Sequence, residues 1–252
     1  MISLQAQELF ARLIAKNESS CEKTIQFSLE TASRRGLLGY TEELSMPLLY
    51  SALVQGIFPW YNEDKGEPVL WWSPDPRFVL FPEELHVPKS LAKFMKHSHF
   101  SYTMDTAFEQ VINECSSIKR KDQRGTWIGN GIKKAYTQAF YDGNAHSFEV
   151  WNGAKLAGGF YGVLIGSVFL GESMFSHESD SAKSAFVHFV HAFKNAGGKM
   201  IDSQVYTDNI SRFGGKNISQ CAFLRYESEY LYSSLQENLK DSFYKTVEKK
   251  SE

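Results

Sequence analysis

Two polar side chains stand two residues apart in an otherwise apolar run, Met200-Ile201-Asp202-Ser203-Gln204-Val205. Residues 199–205 are predicted to form a strand. Alternation then puts Asp202 and Gln204 on one face, and Ile201, Ser203 and Val205 on the other. A carboxylate and an amide side by side on a core-like strand need partners or a substrate; the same pair would sit as readily on a solvent-facing strand. A second candidate is Glu172, a lone acid in Phe169-Leu170-Gly171-Glu172-Ser173-Met174-Phe175-Ser176. Buried acids are costly unless hydrogen-bonded, so Glu172 is either on a wet face or functional. A mid-strand glycine often marks a bulge. One at Gly171 would let Phe169 and Glu172 reach the same cavity despite their opposite parity.

Other chemistries lack their residues. His188 and His191 are spaced i, i+3 on the side of a predicted helix away from its phenylalanines, where a solvated face is expected. His97 and His99 have no carboxylate cluster beside them, so no metal is expected. Gly158-Gly159 falls inside a strand, and neither a G-x-G-x-x-G opening a helix nor a P-loop is present. The predicted strand-to-helix turn at 177–181 lacks glycine, which disfavours a pyrophosphate cradle for a nucleotide or coenzyme A. No cofactor is expected.

Composition sets the outer bounds. The 252 residues are 42% hydrophobic and 22% charged, with 19 Phe, 12 Tyr and 5 Trp, enough for a sizeable core and for ring-stacking pockets. A net charge of -2 means that any nucleic-acid contact rests on a local basic patch. Cys21, Cys115 and Cys221 form no C-x-x-C pair, which fits a reducing compartment. The first 20 residues mix charges into their apolar positions, and the longest apolar run, 156–170, is broken by four glycines. Neither a signal peptide nor a membrane span is expected, and the chain is read as cytoplasmic.

The elements that must position these residues follow from periodicity. Residues 2–29 look helical. Residues 36–55 hold an amphipathic helix, with Ser45 as N-cap and Pro47 in its first turn. The prolines of Leu70-Trp71-Trp72-Ser73-Pro74-Asp75-Pro76-Arg77 exclude a helix or central strand there. Helices are predicted at 89–96, with Lys89, Lys93 and Lys96 on one face, at 105–115 and at 131–141. Between the last two lies a basic loop carrying Lys119, Arg120, Lys121 and Arg124. Strands at 146–151, 155–165 and 167–176 follow, the first two joined by the Asn152-Gly153 hairpin signal. A helix at 181–195 carries Phe186, Phe189 and Phe193 and ends at Gly197-Gly198. The order β-β-β-α-β belongs to an α+β layer, a helix on an antiparallel meander. The charged tail from residue 236 is expected to fray.

In this order, residues 56–60, 70–77, 125–128, 145–151, 158–162, 171–176 and 201–205 resemble the leucyl/phenylalanyl-tRNA–protein transferases. Residues 36–55 align more loosely, and the likeness spans about 36–224. The resemblance implies a small N-terminal domain (1–82) followed by a GNAT-like, acetyltransferase-like catalytic domain (83–252). It implies transfer of leucine, also phenylalanine and methionine, from aminoacyl-tRNA to the N-terminal α-amine of acceptor proteins, tagging them for N-end rule degradation. It places Asp202, Gln204 and Glu172 at the reaction centre. Phe160, Phe169, Met174, Phe186 and Phe189 correspond to the pocket for the donor side chain, and Trp60, Trp127 and Tyr136 to residues near the terminal adenosine. Lys89, Lys93, Lys96, Lys119, Arg120, Lys121 and Arg124 are the candidates for the tRNA backbone. The chain departs from the family at Thr41-Glu42, Leu53 and Asn209-Ile210, which leaves the acceptor's first residue, basic or acidic, open.

The expected chemistry is modest. The donor ester is already activated, and an α-amine with a pKa of about 7.7–8.0 is partly neutral near pH 7. Asp202 is expected to orient Gln204 and favour loss of the amine's proton, with its role as a true base left open. Gln204 would hold the amine or reacting centre, and Glu172 the incoming ammonium or a basic acceptor side chain. Two competing readings are a GNAT-fold enzyme using acetyl coenzyme A and a non-catalytic RNA- or peptide-binding module.

Overall fold

A computed structural model describes residues 36–118 and 126–249. The predicted helix at 2–29 and the basic loop with Lys119, Arg120, Lys121 and Arg124 lie outside the described residues. The chain begins with β1 (Leu37–Thr41), α1 (Met46–Leu53), β2 (Phe58–Pro59) and β3 (Val69–Trp72). The strands form an antiparallel sheet in the order β1-β3-β2. Helix is thus confined to the second half of 36–55. Ser45 caps it, its Oγ accepting from Leu48 N–H at 3.5 Å, and Pro47 occupies the first turn. Residues 37–41 pair with β3 instead, and the Trp71 indole donates to Thr41 Oγ1 at 3.0 Å. Contrary to the proline rule as applied above, β3 is the middle strand of this sheet. It stops at Trp72, before Pro74, so no ladder bond is lost.

β4 (Arg77–Leu80) starts just past Pro76 and belongs to the larger sheet. Then come α2 (Lys89–His97), β5 (Ser101–Met104), α3 (Phe108–Ser117) and α4 (Asn130–Tyr141). The predicted meander follows as β6 (Ala145–Asn152), β7 (Lys155–Ile165) and β8 (Val168–Ser176). Gly153 turns the hairpin at φ 57°, as Asn-Gly implies. Helix α5 (Ser181–Asn195) crosses over to β9 (Met200–Asp202), which pairs parallel to β8 and antiparallel to β4. α6 (Asp208–Arg212), β10 (Lys216–Ile218), α7 (Gln220–Tyr230) and α8 (Leu239–Glu248) complete the described chain. The large sheet reads β10-β4-β9-β8-β7-β6-β5.

Both faces of this sheet are covered, so apolar side chains point alternately into two cores. On one side Phe148, Phe160 and Phe169 meet Phe186, Phe189 and Phe193 of α5. On the other, Tyr161 and Leu170 meet Trp71, Val111 and Tyr136 from the small sheet, α3 and α4. Gly158 is required by this packing, because a Cβ there would stand 2.3 Å from Ser181 Oγ at the start of α5.

Two expectations on this side are corrected. The tail beyond 236 does not fray before 249. Asn238 caps α8, and Leu239 and Phe243, one turn apart, are buried against α5. Covered by α8 and α2, α5 is buried on most sides. His188 is accordingly 3% exposed, its ring centroid 4.6 Å from that of Tyr102, and does not lie on a solvated face.

Candidate active site

The site forms where β8 loses register with β7. Tyr161 faces Ser173 and Gly162 faces Gly171, leaving Glu172 as the extra, bulged residue. The bulge falls one residue beyond the glycine that signalled it. It brings Phe169, Gly171, Glu172 and Met174 onto one cavity of about 480 Å³. The cavity floor is apolar, with Phe160, Phe169, Phe186 and Ile201. Its mouth carries Trp60, Trp127, Tyr206, Thr207 and Asn209.

Asp202 and Gln204 do not share a strand face. β9 ends at Asp202, and the next residues form a tight turn in which Val205 N–H donates to Ser203 O at 2.6 Å. At its centre Gln204 has φ 62°, a conformation L residues avoid, at a cost of roughly 1–3 kcal/mol. Asp202 offsets this by accepting the Gln204 backbone N–H on Oδ1 at 2.9 Å. The two side chains therefore part company: Gln204 borders the cavity, whereas Asp202, fully buried, does not. Period-two alternation assumed a strand that the turn interrupts.

Asp202 faces inward to Arg77, the first residue of β4. Arg77 Nε and Nη2 donate to Oδ1 and Oδ2 at 2.8 and 2.6 Å, a bidentate pair. Arg77 Nη1 donates to Gly56 O at 3.0 Å, and the guanidinium lies 4.9 Å over the Phe58 ring and 4.4 Å over Phe223. Asp202 is thus a fixed anion with both oxygens occupied. That geometry suits positioning and not proton abstraction.

Glu172 is different. Its Oε1 and the Tyr136 hydroxyl beside it are enclosed and make no hydrogen bond of ordinary geometry with a described residue, although Tyr136 and Gln204 lie near enough to act on the carboxyl. Burial raises the Glu172 pKa to about 8, opposed by Tyr136, Gln204 and Arg77 and helped by the Asp202 charge. Glu149 shows how a purely structural buried carboxylate is satisfied here. It accepts from Thr103, Thr106 and Ser147 at 2.5, 2.9 and 2.5 Å. Because the folded pKa of Glu172 lies above its unfolded value of about 4.3, the folded state holds the extra proton between them. The group's contribution to stability is full below about pH 4.3 and is lost as pH rises to about 8. The slope approaches 1.4 kcal/mol per pH unit. Glu172→Gln is expected to flatten that decline in urea titrations between pH 5 and 8; an unchanged slope would assign it to another group.

Of the other sequence candidates, Phe160, Phe169, Met174 and Phe186 line the cavity, as do Trp60 and Trp127. Phe189 does not reach it; fully buried, it backs Phe160 and Phe169 at ring distances of 5.5 and 4.5 Å. Tyr136 is also off the wall, fully buried at 5.7 Å from the Tyr161 ring. Its place is beside Glu172. Lys89, Lys93 and Lys96 are exposed on α2. Sequence reasoning missed Arg77 as the partner that positions Asp202, because nothing local links residues 77 and 202. An arginine within an apolar strand, Arg77-Phe78-Val79-Leu80, was the available signal.

Among the described residues no helix is long and apolar enough to cross a membrane, and no three His, Cys, Asp or Glu side chains gather as a metal site. Likeness to solved structures is remote. A functionally unknown conserved protein from Staphylococcus epidermidis shares 9% identity over 73% of this chain and 68% of that one, with TM-score 0.37. L-PGS from Bacillus licheniformis shares 10% over 68% and 56%, with TM-score 0.38. Sequence comparison is decisive. Residues 79–228 match the family model for leucyl/phenylalanyl-tRNA protein transferase, and residues 42–75 match that for its N-terminal domain. The leucyl/phenylalanyl-tRNA–protein transferase of Chromohalobacter salexigens is 44% identical over 204 residues, 81% of this chain and 78% of that protein. The Yersinia pestis (strain Pestoides F) protein of the same name is 44% identical over 200 residues, 79% of this chain and 83% of its own length. The chain therefore belongs to the leucyl/phenylalanyl-tRNA–protein transferase family.

Proposed function

We propose that this protein transfers leucine or phenylalanine from aminoacyl-tRNA to the N-terminal α-amine of acceptor proteins. The observation that carries the reading is the apolar cavity with Glu172 and Gln204 on its wall and two tryptophans at its mouth, in a chain of this family. The donor side chain enters between Phe160, Phe169, Met174 and Phe186, and Trp60 and Trp127 stack on the terminal adenosine. The amine attacks the ester carbonyl, the new C–N bond forms and the bond to the ribose 3′ oxygen breaks. The amine gives up a proton and the 3′ oxygen gains one. A Glu172 carboxyl near 8 is matched to an amine of about 7.7–8.0, so it can exchange that proton at little cost. Gln204 places its amide at the reacting centre. Asp202 fixes Gln204 and does not act as a base, since Arg77 holds both its oxygens. Lys89, Lys93 and Lys96, with Lys119, Arg120, Lys121 and Arg124, form the electrostatic contact to the tRNA backbone.

The three meander strands, α5 and a parallel β9 that leaves β8 at Asp202 support an acetyltransferase-like fold, with the domain boundary moved from Pro82 to Pro76, because β4 pairs with β9 and β10 in the larger sheet. The same reading places the protein in the cytoplasm, tagging substrates for N-end rule degradation, with a basic or acidic first residue on the acceptor. The test is incubation with leucyl-tRNA or phenylalanyl-tRNA and peptides differing only in residue one. The Phe160 and Phe186 rings close the pocket 5.7 Å apart, and close-packed walls adapt poorly to a larger ligand. Leucine is expected to be preferred over phenylalanine, by about 1–3 kcal/mol in kcat/KM. Phe160→Met with Phe186→Leu should shift the preference towards phenylalanine. Wild-type preference for phenylalanine, or no shift in the double variant, would refute this account of the pocket.

A further inference from the structure

Glu227, on α7, is 2% exposed and has no role in the chemistry above. Its Oε1 lacks a hydrogen-bond partner among the described residues, unlike the fully satisfied Glu149. It faces Gly56, where an added Cβ would stand 2.9 Å from its Oε2 and 2.6 Å from the Phe223 ring. Gly56 therefore serves twice: it adopts φ 70° and it leaves room for Glu227. The carbonyl of the same residue accepts from Arg77 Nη1 at 3.0 Å. Phe223, one turn before Glu227 on α7, lies under the guanidinium at 4.4 Å. One helix thus places a ring under Arg77 and an acid against Gly56, the residue whose carbonyl Arg77 holds.

From this arrangement we propose that Glu227 is a positioning residue of the transfer site. It packs against Gly56, whose carbonyl Arg77 holds, and thereby sets the guanidinium, so that Arg77 holds Asp202 and Asp202 holds the Gln204 turn. A single cation then sets two cavity walls at once. Through Gly56 it anchors the segment leading to Phe58, Pro59 and Trp60, and through Asp202 it anchors Ser203, Gln204 and Val205. Of the five N–H donors of Arg77, three are spent on Asp202 and Gly56, so the position of Gly56 bears directly on how the guanidinium sits. Burial raises Glu227 well above the carboxylate range, with Arg77 opposing and the Asp202 charge reinforcing that shift. Burial thus favours the neutral acid, which accepts with one oxygen and donates with the other. Glutamine reproduces that pattern and leucine does not.

The inference rests on the transferase reading, and the experiment separates the two. Single-turnover transfer from leucyl-tRNA to a peptide is measured alongside hydrogen exchange at the Gln204 amide. Glu227→Leu is expected to slow transfer roughly tenfold to a hundredfold, as misplacement of a distant support does. The dissociation constant for leucyl-tRNA should hold while the Gln204 amide exchanges faster. Glu227→Gln should restore rate and protection together. If Glu227→Leu fails to fold by circular dichroism, Glu227→Asp, one methylene shorter, takes its place with the same expected losses. Wild-type rate and protection in Glu227→Leu, or a Glu227→Gln variant as slow as Glu227→Leu, would overturn the proposal. A wild-type protein that transfers nothing would instead overturn the transferase reading.

Discussion

Gln204→Ala is expected to cut single-turnover transfer by about 10²–10³-fold, the usual cost of losing one preorganised polar group at a reacting carbonyl. The fold should survive, because the Gln204 side chain borders the cavity and is not part of the core. Asp202→Ala is expected to lose as much activity for another reason. The Gln204 turn, at φ 62°, loses the acceptor that holds its N–H at 2.9 Å and can relax out of position. Asp202→Asn separates the parts of that role. Its Oδ1 still accepts the Gln204 N–H, but the charge facing Arg77 is gone, so transfer should fall between wild type and Asp202→Ala. Rapid quench of a leucyl-tRNA–peptide reaction, with circular dichroism as the control for folding, makes the measurement. Near-normal rates in both alanine variants would remove the pair from the mechanism.

Arg77→Met should produce the largest loss of stability of any substitution near the site, about 3–5 kcal/mol. Arg77 and Asp202 are 1% and 0% exposed, so removing the cation strands a carboxylate in a water-free core. In a chain of this length that corresponds to a fall in Tm of roughly 6–20 °C. Removing both charges is a different matter. A buried ion pair replaced by apolar groups of similar volume is often no less stable. The double variant Arg77→Met with Asp202→Leu should therefore recover most of the lost Tm. It should still fail to transfer, because nothing then holds the Gln204 turn. Calorimetry on the four proteins of the cycle gives the coupling directly. Additive losses would mean that the pair contributes little beyond its separate packing.

Much of the architecture is local, and local rules reach it. The 155–165 strand and the 181–195 helix end where their periodicity ends, because each buries a continuous apolar face. Ser45 and Asn152-Gly153 act within a few residues of themselves, so sequence alone placed the α1 cap and the hairpin. Glycine in β8 announced a bulge for the same reason, and Glu172 was singled out because an acid in an apolar strand demands an explanation. The tail was misread where charge outweighed pattern: Leu239 and Phe243 stand one turn apart and pack α8 on α5, with Ser242 Oγ donating to Ala192 O at 2.9 Å.

The site itself was decided by tertiary contact. The types of Asp202 and Gln204 pointed to chemistry, but their geometry came from β4 and not from their own strand. Arg77 pulls Asp202 into the core, Phe78 N–H donates to Gln204 O at 3.2 Å, and the turn that results parts the two side chains. Arg77 and Asp202 are 125 positions apart, and Glu227 comes from a further helix. A buried charge is stable only where distant segments bring it a partner, and one strand's side-chain pattern carries no record of which segments those are. Sequence by itself therefore determined which residues could react, through their types and the periodicity around them. Only the packing of β4, β8 and β9 decided where those residues point and at what pH Glu172 holds its proton, because desolvation and ion pairing are properties of the folded interior.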